Sequence, residues 1–144
     1  MIKLIVFFTF FIITNVFTDQ KYSFEMNGSF KESAKILPDK SSFSSIQTVG
    51  AFSDSLGNIG KYECNGVREA LNNGKLINLN VLCEINDKDL DKFWMKARRD
   101  TNKFGGVGTY HVIEGTGKFK NLIGAKCKYA VTFVSEIIFI KAVC

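Results

Sequence analysis

Few residues in this 144-residue chain have types and spacings that could do chemistry. Asp87, Asp89 and Asp91 alternate as the oxygens of a calcium loop do, but the sixth place, which should be Gly, is Lys92. The twelfth, which should be Glu, is Arg98, so these carboxylates read as a solvated acidic turn between strands. Tyr110, His111 and Glu114 offer an acid–base group, but in a regular strand Tyr110 and His111 point to opposite faces. Gly115-Thr116-Gly117-Lys118 invites a phosphate loop. That motif needs Ser or Thr after the Lys and a Gly five places before Gly117, and Phe119 and Val112 stand there. Asp54 reads as a turn residue rather than a base. Arg68 falls on an apolar face, where a guanidinium is costly unless paired. It either anchors an anionic ligand or snorkels to water at the edge of the fold. No Ser/His/Asp or Cys/His arrangement can be built, so the sequence supplies no catalytic set, no metal set and no cofactor motif.

The elements that position these residues are strands. After Asp19 the pattern is alternation, β-branched and aromatic residues, with Gly and Asn at the breaks. Strands are expected at Tyr22–Ala34, Phe43–Ser53, Ile59–Ala70, Leu76–Glu84, Phe93–Arg98, Gly108–Ile113, Ala125–Val134 and Ile137–Val143. Only Asp87–Arg99 has length for a helix, and its periodicity is poor. Pro38 belongs to the loop between the first two strands. Many short strands and almost no helix predict an all-β fold, an eight-stranded antiparallel barrel or, second, a β-sandwich.

The cysteines set two hairpin registers. Asn73-Gly74 reads as a two-residue type I′ turn. Centred there, Ala70 faces Ile77, Gly66 faces Val81 and Cys64 faces Cys83, and Arg68 shares a face with Ala70, Ile77, Leu79 and Val81. By strict counting Cys64 and Cys83 form the wider, hydrogen-bonded kind of pair, so a one-residue bulge is expected nearby. In the last hairpin Cys127 faces Cys144, Tyr129 faces Ala142, Val131 faces Ile140 and Phe133 faces Ile138. A one-residue slip would bring Lys126, Lys128 and Lys141 onto that apolar face. The turn it implies, Ser135-Glu136, lacks the favoured Gly. Without a C-x-x-C pair, and with the lone His111 on another strand, disulfides are favoured over zinc. Within this framework Arg68 and Tyr129 are the candidate ligand contacts.

Residues 1–18 read as a signal peptide: Lys3, an apolar run from Leu4 to Ile13, then a cut before Asp19. Residues 19–144 would then be one exported domain, periplasmic or secreted, with no stable membrane anchor. The chain carries a net charge of +5 with its lysines scattered, which argues against nucleic acid as a partner. The final strand, Ile137-Ile138-Phe139-Ile140, is apolar on both faces, which fits a covered strand or a contact between copies in a homo-oligomer.

Gly115, Thr116, Gly117, Phe119 and Gly124 form a segment that resembles the glycine-rich loop of dirigent proteins and allene oxide cyclases. The first Gly of that segment is Glu114 here. Gly50-Ala51-Phe52-Ser53-Asp54 with Gly57, Cys64-Asn65-Gly66 and Cys83 before an acidic turn are similar to small exported bacterial proteins of that barrel. The likeness spans about residues 45–133 and implies an eight-stranded barrel whose short loop at Phe119, Leu122 and Ile123 packs under one end. The catalytic residues of those families match no positions here, so it implies no activity. The expected function is binding of a small, largely apolar ligand inside the barrel. The alternatives are an isomerase or cyclase-like enzyme using the same pocket, and an interaction module with a filled core.

Overall fold

The computed structural model describes residues 21–99 and 106–144. The expected signal peptide lies outside them. Eight strands follow one another: β1 Ser23–Ile36, β2 Ser42–Asp54, β3 Ile59–Ala70, β4 Leu76–Asp87, β5 Lys92–Arg99, β6 Gly106–Gly115, β7 Lys126–Val134 and β8 Ile137–Val143. Each pairs antiparallel with the next, and β8 returns to β1, closing a barrel. The alternating pattern produces this directly: Phe24, Met26, Phe52, Ile85, Phe93, Met95 and Val112 point inward, and the residues between them face out. Asp87–Arg99, the one stretch long enough for a helix, is the end of β4, a turn and β5.

Four successive hairpins share one loop geometry. Leu37, Asp54, Leu71 and Asp87 each donate their N–H to the carbonyl four residues on and accept from the N–H three residues on. The third loop residue has positive φ in each case: Lys40 66°, Gly57 83°, Gly74 79° and Leu90 69°. This is the three-residue hairpin loop with its αL residue. Pro38 opens the first of these loops, where its fixed φ fits a turn.

The Asn73-Gly74 turn therefore differs from the two-residue turn expected. Leu71 faces Lys75, and a register shift pairs Ala70 with Leu76 instead of Ile77. Ile77 is the extra residue of the bulge and turns outward, 59% exposed. From Glu69↔Asn78 onward the expected register holds, with Cys64 opposite Cys83. The loop and the bulge cancel in register but not in hydrogen-bond parity. The Cys64–Cys83 Cα separation of 4.0 Å belongs to the narrow pair rather than the wide one. The last hairpin has the register expected, Cys127–Cys144 is bonded, and Ser135 supplies the positive φ (54°) that Gly would adopt freely.

One end of the barrel is filled. Phe24 packs against Phe52, Phe93 and Tyr110, each with ring centroids 6.0 Å away. A 3-10 helix, Gly117–Leu122, closes this end by inserting Phe119 against Phe93 at 4.9 Å. Leu122 packs beneath it, whereas Ile123, expected there too, is 47% exposed. Lys118 latches the helix to the β4–β5 turn, its Nζ 2.7 Å from Asp87 Oδ2 and 2.8 Å from Asp89 Oδ2. Gly117 has φ 47°, and a Cβ there would run into the Asp91 carboxylate.

Candidate functional site: a cavity under the open end

The opposite half of the barrel is not filled. A cavity of about 80 Å³ lies between the inward residues of the strands toward their open ends. Its walls are apolar: Phe30, Ile46, Leu79, Val81, Val131, Phe133 and Ile138. Its floor is the Cys64–Cys83 bridge with Thr48, Tyr110 and Tyr129. Arg68 and Arg99 line it as well.

Alternation along each strand explains these neighbours. On β1 the inward series Phe24, Met26, Gly28, Phe30 ends in Glu32. On β3 the series Tyr62, Cys64, Gly66 ends in Arg68 and Ala70. On β5 it runs Phe93, Met95, Ala97 to Arg99. Both arginines therefore sit where apolar positions give way to solvent. Arg68 Nη1 donates to Glu32 Oε1 at 3.2 Å, with both side chains only about one-fifth exposed (23% and 20%). Burial lowers the pKa of Arg99, Tyr129 opposes that, and the nearby positive charge of Arg68 lowers it further. The two guanidiniums thus feel each other, and Glu32 is the carboxylate bonded to Arg68.

The hydroxyls below are arranged by packing. Tyr129 and Tyr110 lie with ring centroids 4.4 Å apart, and the Tyr129 hydroxyl donates to the Arg98 carbonyl at 3.4 Å. Gly108 makes this ring position accessible, since a Cβ there would meet the Tyr129 hydroxyl. Burial raises the pKa of Tyr110 well above its usual value, and that of Tyr62 as well, so both stay neutral. Thr48 and Ser44 are buried with hydroxyl oxygens that have no hydrogen-bond partner among the described residues.

Of the candidates read from sequence, the barrel brings Arg68 and Tyr129 to one cavity. It separates the others. Tyr110 points in, while His111 and Glu114 are exposed outside. Asp54 caps its own turn, accepting from the Leu56 and Asn58 N–H groups and from the Tyr22 hydroxyl. Asp87 is buried rather than solvated: Oδ1 accepts from the Asp89 and Asp91 N–H groups, and Lys118 sits on Oδ2. A salt-bridged turn accounts for those three aspartates, and no cluster of metal-ligating residues forms among the described residues. Arg99, Glu32 and Thr48 were missed by the sequence reading. Their signal was the same alternation that located the core: Glu32 and Thr48 are inward positions within the expected strands, and Arg99 lies one residue past the end of Phe93–Arg98.

A larger dip, about 740 Å³, lies on the outer wall over β2–β5 beside Trp94. Its principal carboxylate, Glu84, is already held by Lys92 at 2.7 Å and by the Trp94 N–H at 3.0 Å. The interior cavity is the better candidate because it combines apolar walls with cations that converge on it.

The fold and site define a closed, disulfide-braced antiparallel barrel with a small interior cavity. Comparison with known proteins adds no relative: no family model, curated protein or solved structure matches the chain. The two disulfides point to an oxidising environment outside the cytosol, and no described helix is long and apolar enough to cross a membrane.

Proposed function

We propose that the protein binds a small, slender amphipathic anion, with its apolar body in the barrel cavity and its negative group at Arg68 and Arg99. The observation that carries this reading is the pair of guanidiniums, Arg68 and Arg99, beside one apolar cavity. Size narrows the ligand. Drug-sized sites span roughly 300–1,000 Å³, so about 80 Å³ suits a short chain or a single small ring. An apolar void of this volume also forfeits about 2 kcal/mol relative to a filled core. The other half of the same barrel is filled with aromatic rings, so the vacancy is local. Binding is favoured over catalysis because burial holds Tyr110 neutral and the cavity lining among the described residues contains no carboxylate or imidazole to serve as a base. The signal-peptide pattern, together with the disulfides, supports a periplasmic or secreted site of action. The likeness to dirigent and allene oxide cyclase barrels carries no activity to these residues.

Calorimetric titration with hexanoate and with hexanol tests the assignment. The carboxylate is expected to bind at least tenfold more tightly than the alcohol, and Arg68→Gln is expected to erase the difference. Equal binding of the two would refute the role of the arginines. Binding of neither would refute the cavity itself.

A further inference from the structure

A second feature lies on the outside of the barrel, away from the cavity. Register places Lys96 beside His111 and His111 beside Lys126. One row along, Arg98 lies beside Thr109 and Thr109 beside Lys128. All six side chains are exposed. With strands about 4.8 Å apart and alternate residues about 7 Å apart, they form a compact grid. Neighbouring charges lie about 7 Å apart along a strand and about 10 Å apart across β6, close to the Debye length of about 8 Å at physiological salt. None of the four Lys and Arg side chains has an ion pair among the described residues. Among the described residues Glu114 is the one carboxylate on the outer face of β5–β7, next to Trp94, and its Oε1 accepts the Gly115 N–H. Lys92 of β5 and Lys141 of β8, at the margins of the same wall, are paired with Glu84 and Glu25, whereas the four grid cations stand together without a carboxylate between them.

The grid is fringed by apolar side chains. Val143 stands opposite Lys128, and Leu82 opposite Lys96. Val107 (54% exposed) and Phe139 (46%) continue the fringe toward the open end. Soluble polyanions would use the cations and leave the fringe wet. A bilayer interface uses both, since cations meet anionic headgroups while apolar tips enter the acyl boundary.

We infer that the outer wall of β5–β8 docks peripherally on a membrane surface rich in anionic lipid. Each of the four cations near such a surface strengthens partitioning roughly fivefold. The charge complementarity is local, because β1 carries its exposed Lys31 and Lys35 on a different wall.

Co-sedimentation of the protein purified from an oxidising compartment with phosphatidylglycerol–phosphatidylcholine vesicles tests the inference, with pure phosphatidylcholine as the reference. Binding is expected only to the anionic vesicles, and to fade between about 0.05 M and 0.5 M salt. Lys126→Glu with Lys128→Glu is expected to weaken it at least tenfold, while Lys31→Glu with Lys35→Glu, which changes net charge equally, leaves it intact. Phe139→Ser, which keeps every charge, is expected to weaken it severalfold. Equal binding to neutral vesicles, no binding to anionic ones, or equal loss in both charge-reversed pairs would overturn the inference. Tighter binding to single-stranded DNA or dextran sulfate than to vesicles would assign the face to a soluble polyanion and overturn it too.

Discussion

At the scale of single residues, two loop positions carry a conformation their side chains resist. Lys40 and Leu90 occupy the αL place of hairpin loops in which Gly57 and Gly74 sit at the equivalent position. An L side chain in αL costs about 1–2 kcal/mol, part of which Gly returns through its freer unfolded chain. Leu90 is 76% exposed, so little packing is lost on its removal. Leu90→Gly and Lys40→Gly should each raise stability by roughly 0.5–1 kcal/mol, measured by urea denaturation. A fall in midpoint would contradict the shared loop geometry. Arg68 is the opposite case, a residue whose cost in an apolar wall is offset by Glu32 and, in this account, by a ligand. Glu32→Gln removes the competing carboxylate and should tighten hexanoate binding, an outcome a purely structural Arg68–Glu32 pair would not produce.

At the scale of elements, the disulfides and the latch hold hairpins rather than distant segments. Each bridge closes a loop of under 20 residues (separations 19 and 17), worth roughly 3 kcal/mol if chain entropy dominates. Cys127→Ser with Cys144→Ser should therefore cost about that much in a urea melt and leave the cavity intact. Loss of Cys64–Cys83 should in addition weaken ligand binding, because that bridge forms the floor. The latch is sensitive to acid. Its hydrogen bonds to Lys118 and then Lys88 lower the Asp89 pKa from 3.8 to about 2. A folded-state pKa below the unfolded one gives stability above about pH 4 that fades as the pH falls toward 2. Wild type and Lys118→Met should differ in Tm at neutral pH and converge in that acid window. A difference independent of pH would place the helix's anchorage elsewhere.

The eight strands were legible in sequence because alternation and turn chemistry agreed along the chain. The cysteine registers were legible because a period of two makes a slipped strand bury its lysines. The loop–bulge pair in the Asn73–Gly74 hairpin was not, since a three-residue loop plus one extra residue restores the same pairing at Cys64 and Cys83. Of the site, Arg68 and Tyr129 were visible as polar atoms on apolar faces. Arg99 lay at the end of a strand the pattern closed one residue early. The basic grid was invisible because its four cations come from two strands, β5 and β7, that meet only across β6 through register.

At the scale of the whole molecule, the barrel is two halves with different tasks. One half is packed with aromatic rings, sealed by Phe119 and tied by Lys118. The other is left with space, rimmed by cations and braced by a disulfide, and it is the half to which we assign the proposed ligand. The outer wall adds a third surface whose charges do not neighbour that space in register. Native mass spectrometry of the protein from an oxidising compartment decides whether the vacant half holds a ligand. An added small mass is expected, either co-purified or acquired from a series of short-chain carboxylates, that is lost on denaturation and in Arg68→Gln. A chain that stays bare across that series would contradict that assignment.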